Sequence, residues 1–311
     1  MSAQASAPIA KTPNIRSSRY YTPDRVAFNI VGYILVGLFG LVCFVPFYLV
    51  VVASFTSEAE VMKYGYGLFF RDFSLEGYFL SLKNPALILR AYANTIGITI
   101  IGTFFATMMA TMTGYVLQRV DFPWRNKFSF FFFFTTLFNG GLVPWYLLCT
   151  QVLSFKNHYW ALVLPGMFSV WNMIIAKNFM KSIPHEINES AIIDGAGNFT
   201  IYFKLILPLS KPLVATLTLF TALGYWNDWY NCMLFMNKQE MWTLQYYLQK
   251  LLNDAQALRM IADKSGISTP FIPINAMKMA LTVIVTGPII LLYPLLQKHF
   301  VKGLTIGAVK G

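Results

Sequence analysis

The run Ile30-Val31-Gly32-Tyr33-Ile34-Leu35-Val36-Gly37-Leu38-Phe39-Gly40-Leu41-Val42-Cys43-Phe44-Val45-Pro46-Phe47-Tyr48-Leu49-Val50-Val51-Val52 carries no formal charge. A helix of about 20 apolar residues, rising 1.5 Å per residue, crosses the hydrocarbon core of a bilayer. Five further stretches meet the same length criterion, so the spans are read as 28–54, 90–118, 128–150, 159–180, 212–236 and 277–298. The fourth is interrupted by Pro165-Gly166, and Trp145, Tyr146, Tyr159 and Trp160 stand at segment ends, where amphipathic rings fit the headgroup layer. Composition agrees: of 311 residues only 12% are charged and 56% are hydrophobic. A soluble domain has about a quarter charged residues. A disordered chain, a disulfide scaffold and an ordinary cytosolic enzyme are excluded, and the fold class is an all-α polytopic membrane protein with six transmembrane helices.

The net charge of +11 comes from basic residues scattered between apolar blocks, without a dense run interleaved with aromatics. It therefore reads as topology information and not as a nucleic-acid surface. Placing the N-terminus inside puts Lys11, Arg16, Arg19, Arg25, Arg119, Arg125, Lys127, Lys177, Lys181, Lys204, Lys211, Lys298, Lys302 and Lys310 on the cytoplasmic side. Glu58, Glu60, Asp72, Glu76, Glu240, Asp254 and Asp263 then fall outside, and both termini lie in the cytoplasm. Residues 1–27 read as a flexible tail, 28–299 as the membrane domain and 300–311 as a second tail. Cys43, Cys149 and Cys232 sit in apolar stretches without metal-ligand spacing and read as buried packing residues.

The inner loop of about 181–211 has a polarity that a plain connector does not need. Pro184 suits the first turn of a helix, and Glu186 and Glu189 follow near its positive end. Ile183, Ile187 and Ala191 form one apolar stripe, and Gly195 and Gly197 are natural stops. Thr200 is placed to cap a second short helix, from Ile201 to about Leu207, that ends before Pro208. Two short helices at a glycine corner make a stiff cytoplasmic hairpin. Its small residues Ser190, Ala191, Gly195 and Ala196 leave room for another protein to approach. The alternative on these residues alone is an interfacial helix lying on the membrane.

Glu189-Ser190-Ala191, then Gly195, then Leu205-Ile206-Leu207-Pro208 resemble the motif E-A-A-x3-G-x9-I-x-L-P. That motif marks permease subunits of binding-protein-dependent ABC importers; Ser190 and Leu205 are mild departures from it. The ending Phe300-Val301-Lys302-Gly303-Leu304-Thr305-Ile306-Gly307-Ala308-Val309-Lys310-Gly311 resembles the tail of maltose-type sugar permeases, a tail that in those relatives reaches into the ATPase dimer. Asn139-Gly140-Gly141-Leu142-Val143-Pro144 and Trp226-Asn227-Asp228-Trp229 resemble an oligosaccharide branch of that group. The likeness covers roughly residues 88–311.

The resemblance implies a type I importer permease in the bacterial cytoplasmic membrane, with the loop as a coupling helix seated on an ATP-hydrolysing subunit. Glu186, Glu189, Ser190, Ala191, Asp194 and Gly195 would belong to that coupling surface, together with Ala196, Leu205, Leu207 and Pro208. Glu189 would face a basic residue of the ATPase. The partners implied are two ATP-binding-cassette subunits, a second homologous permease, an extracellular or periplasmic solute-binding protein, membrane lipid and an oligosaccharide. This chain would bind no cofactor itself, ATP and magnesium being held by the partners. It contains no phosphate-cradling P-loop, so the energy must come from another polypeptide.

A sugar path combines aromatic faces with amide or hydroxyl groups. The candidates are Asn139, Trp171, Asn172, Trp226, Asn227 and Asp228. Asp228 is the one acid well inside a predicted span, and such groups normally face a cavity or a partner. Pro144, soon after paired glycines, indicates a broken helix lining a cavity. The rival reading, an ion-coupled secondary transporter, usually needs acidic relays near the midplane, and this chain offers a single off-centre Asp.

Overall fold

The computed structural model describes residues 23–69, 71–265 and 273–290. The described residues are helical apart from turns and one isolated bridge between Thr56 and Phe73. Residues 1–22 of the tail predicted at 1–27, the tail predicted at 300–311 and the end of the sixth segment lie outside the described residues.

Among the described residues two unbroken helices are long and apolar enough to cross a membrane, Pro23–Ser54 and Pro85–Gln118. The first is already helical at Pro23, the first described residue, so it takes in residues 23–27 of the predicted tail. Its side chains are exposed along nearly the whole length, and packing begins only at Val52, Ala53 and Ser54. Cys43 is consequently exposed, against expectation, whereas Cys149 and Cys232 are buried.

Three predicted segments are bent or broken. The third runs as Arg125–Leu137 and Leu142–Val152, related by 111°. The corner is Gly141, at φ +86°, a left-handed conformation that suits glycine. The fourth bends by 44° between Trp160–Gly166 and Val170–Met180, at the turn that Pro165 and Gly166 occupy. The fifth is shorter than predicted: its helix is Lys211–Trp226, and a short helix Tyr230–Phe235 follows a break at 227–229. The last described helix is Ile274–Ile290.

The second span organises the rest. It packs on Val170–Met180 and on Lys211–Trp226, with Gly114 against Ala176 and Gly102 against the Tyr225 ring. Small residues let membrane helices approach closely, where dispersion and hydrogen bonds, not water exclusion, hold them. Its first turns hold the segment after the fifth span: the Asn94 amide donates to the carbonyls of Glu240 (2.8 Å) and Trp242 (3.1 Å), and Thr95 Oγ1 accepts from the Leu244 N–H (2.8 Å). Its last turns hold the 186–209 hairpin. Asn94 and Arg119 are separated by about 37 Å of helix, so these two assemblies occupy opposite ends of the fold.

Candidate coupling hairpin and translocation cavity

The hairpin consists of Glu186–Ile193 and Asn198–Leu209. Its corner follows the Schellman pattern: the Ala196 N–H donates to the Ala191 carbonyl (2.9 Å) and the Gly195 N–H to that of Ile192 (3.0 Å), with Gly195 at φ +79°. Two details differ from the sequence reading. The second helix begins at Asn198, capped by Gly197, so Thr200 is inside it and not at its cap. It also continues through Pro208 to Leu209; proline has no N–H to return to the Lys204 carbonyl, and the turn Tyr202–Ile206 ahead of it is widened into a π-helix.

The predicted coupling residues divide between two faces. Ala191 is buried, and Ala196, Leu205 and Leu207 pack partly against the permease body, beside the buried Ile201, Tyr202 and Ile206. These four therefore hold the hairpin on and do not form its outer surface, which corrects the idea that Ala191 and Ala196 make room for a partner. Glu186, Glu189, Ser190, Asp194, Gly195 and Pro208 are exposed. Glu189 pairs with His185 of its own helix at 3.1 Å, and both side chains remain open to solvent. Sequence reasoning missed Ile192, Ile193 and Phe199, which are 50%, 85% and 70% exposed at the hairpin tip. The available signal was that these apolar residues lie off the Ile187–Ala191 stripe, so the buried face cannot take them.

Polar contacts fasten the hairpin to the second span. Arg119 Nη1 donates to Asn198 Oδ1 at 2.5 Å, the Tyr115 hydroxyl donates to Asn188 Oδ1 at 3.4 Å, and the Thr111 and Tyr202 hydroxyls share a hydrogen bond of 2.7 Å. Arg119 is itself oriented by a two-pronged pair with Asp121. The hydrogen bond from Arg119 is the main cause that lowers the Asp121 carboxyl below its ordinary range. The pair is thus complete above the usual carboxylate pKa and is lost as pH falls through the lowered folded value. Because Asp121 is largely exposed, its contribution is a fraction of a kcal/mol. Asp121→Asn is expected to speed amide exchange in Asn198–Ile201 about twofold at neutral pH, an effect that disappears in acid; an unchanged rate at neutral pH would remove Arg119–Asp121 from the fastening.

The hairpin leads through Ser210, at an 83° bend, into Lys211–Trp226, whose far end lines a cavity of about 350 Å³. The walls are Leu162, Pro165, Gly166, Asn172, Thr221, Gly224, Tyr225, Asp228 and Asn231. Asn172 and Asp228, 56 positions apart in sequence, therefore meet in one site. Asn172 reaches Thr221 at 3.4 Å, and the Asp228 carboxylate accepts from the Asn231 backbone N–H (3.0 Å) and side-chain amide (2.7 Å). Asn139 lines a second cavity, with Gly140, Gly141, Pro144 and Tyr230, that shares Pro165 with the first. Its carbonyl is turned back onto the Gly141 N–H at 2.9 Å.

The other three candidates are not brought there. Trp226 is 4% exposed in the core, donating its indole N–H to the Val285 carbonyl at 3.3 Å, so it does not line the path. Trp171 is 69% exposed on the outside of its helix. Asn227 is exposed and caps its own helix through the Leu223 carbonyl. Tyr225 was missed; its hydroxyl donates to the Val163 carbonyl at 2.7 Å and its ring fills the space left by Gly102 and Gly166.

Residues 98–306 match the family described as binding-protein-dependent transport system inner membrane component. The chain is 36% identical over 282 residues to the polygalacturonan/rhamnogalacturonan transport system permease protein YtcP of Bacillus subtilis (strain 168), covering 91% of this chain and 97% of that one. It is 26% identical over 293 residues to the arabinooligosaccharides transport system permease protein AraQ of Halalkalibacterium halodurans, covering 91% and 98%. A solved bacterial ABC transporter involved in the import of the acidic polysaccharide alginate contains a chain that superposes with a TM-score of 0.73 at 28% identity, covering 90% of this chain and 99% of that one.

Proposed function

Because the chain belongs to the inner membrane components of binding-protein-dependent transport systems, we propose that it forms half of an oligosaccharide pathway worked from outside the bilayer by separate ATPases. It is a permease, and the rival of an ion-coupled carrier is not favoured. The observation that carries the reading is mechanical. One stiff hairpin is fastened to the second span at Thr111, Tyr115 and Arg119, and it is continuous with the helix that presents Thr221, Gly224 and Tyr225 to the cavity. A push on the exposed tip therefore acts on the second span and on the helix that lines the cavity.

In this reading the tip residues Ile192, Ile193 and Phe199, with Glu186, Glu189, Ser190 and Asp194 around them, dock on an ATP-binding-cassette subunit. Nucleotide and magnesium are held there and not by this chain. Closure of two such subunits draws the hairpins together and turns the pathway outward; an oligosaccharide delivered by the solute-binding protein then enters, and hydrolysis resets the inward state. Asn172, Asp228 and Tyr225 supply amide, carboxylate and ring to the sugar, with Asn139 in the adjoining cavity. The exposed first span (23–54) and the incomplete enclosure of the cavities fit a second, homologous permease beside this one. In this reading both termini lie on the cytoplasmic side, with the hairpin.

The test is reconstitution in vesicles with the partner permease, the ATPase subunits and the binding protein. Oligosaccharide uptake is expected only when ATP and all components are present. Accumulation by vesicles lacking the ATPase subunits would overturn the reading.

A further inference from the structure

At the end of the fold opposite the hairpin, the helix Leu244–Ser265 lies across the last described helix, Ile274–Ile290. Between them is a cavity of about 250 Å³ whose polar lining includes Trp229, Gln245, Gln249, Lys278, Thr282 and Thr286. Ligand pockets for drug-sized molecules run from about 300 Å³ upward, so this one has the scale of a single sugar ring. It is distinct from the Asn172–Asp228 cavity, and the 227–229 turn separates them, with Asp228 facing one and Trp229 the other.

The geometry points to this cavity as an entry subsite for one acidic sugar unit, with Lys278 holding the carboxylate of a uronate; the inference rests on the oligosaccharide reading above. Lys278 lies four residues into the last helix and forms none of the ion pairs found among the described residues. A lysine near the end of a membrane-spanning helix carries its ammonium out to the interface, where Lys278 lines the mouth of this cavity. The neighbouring groups have the complementary chemistry for the rest of the ring. Thr282 and Thr286 donate their hydroxyl hydrogens to the Lys278 and Thr282 carbonyls, at 2.8 and 2.6 Å, which leaves their lone pairs to accept from sugar hydroxyls. Gln245 offers an amide with both donor and acceptor atoms, and Trp229 an aromatic face. Asp228 lines the other cavity, where Asn231 holds its carboxylate, and it forms no ion pair with Lys278.

The test is direct binding of trigalacturonate, and of its neutral methyl ester, to the purified complex of permeases and ATPases without the binding protein. Upstream selection by that receptor is thereby removed. A charge-assisted contact is expected to make Lys278→Met lose about ten- to a hundredfold in affinity for the acid, to leave the ester within about twofold, and to be rescued by Lys278→Arg. Equal losses for both ligands, or no loss for the acid, would overturn the assignment. If the wild-type complex binds neither, the subsite is overturned alone should the complete system still take up oligosaccharide, and together with the oligosaccharide reading should it not.

Discussion

Gly195→Pro is expected to reduce ATP-driven uptake to about 1% of wild type or less while the spans remain folded in the membrane. Gly195 stands at φ +79° and donates its N–H to the Ile192 carbonyl. Proline fixes φ near −65° and has no N–H, so both the turn and the hydrogen bond are lost, at a cost of about 3 kcal/mol or more. At about 1.4 kcal/mol per factor of ten, few hairpins then present Ile192, Ile193 and Phe199 in their native arrangement. The contacts that build the spans are remote from this corner, since nothing lies within 4 Å of a side chain placed at Gly195. Glu189→Lys separates geometry from charge: Glu189 is exposed and, among the described residues, its side chain bonds only His185, so its reversal leaves the hairpin intact and changes what the tip offers a partner. Substrate-stimulated ATP hydrolysis is expected to fall at least about tenfold in Glu189→Lys, as for a desolvated interfacial carboxylate facing a cation. Wild-type stimulation in both variants would remove the hairpin from coupling.

The spans were legible because bilayer thickness imposes a length on an apolar run and scarcely depends on what the run packs against. The hairpin was legible for another reason: its Gly195 corner is specified by local backbone chemistry. What could not be read were the places where tertiary contacts decide. The sequence around Trp226-Asn227-Asp228-Trp229 is apolar enough to continue a helix, yet the chain breaks there, with Asp228 taking the Asn231 N–H and Trp226 buried against the last helix. Hydropathy treats the two tryptophans alike; only packing sends Trp226 into the core and Trp229 to a cavity wall. Likewise, the motif marks Ala191 and Leu205 together with Glu189, but not which of them face inward. That division follows from the 111–119 end of the second span, whose Thr111, Tyr115 and Arg119 carry no sequence sign of being contacts for a loop 73 to 91 residues away.

That same span is also where a single methyl group would force two packed helices apart. A Cβ at Gly114 would lie 2.7 Å from the Ala176 Cβ and 2.8 Å from the Lys177 backbone nitrogen. Neither neighbour is the flexible end of a side chain, and Ala176 is fully buried. The two helices must therefore separate, which forfeits contacts along their crossing, because dispersion falls steeply with a gap of even 1 Å. Gly114→Ala is expected to cost about 1–3 kcal/mol, the range for overpacking. The expected readout is loss of the monodisperse protein in detergent and of the cooperative thermal transition. Gly97→Ala is the matched control: it sits in the same helix with open space around it and is expected to melt within a few degrees of wild type. The contrast isolates close approach from helix propensity, since either substitution removes a glycine from a helix interior and by propensity alone would stabilise it. Equal stability of the two variants would mean that the second and fourth spans do not meet at Gly114 and Ala176, and that the second span is not the element on which the hairpin and the cavity helix are jointly mounted.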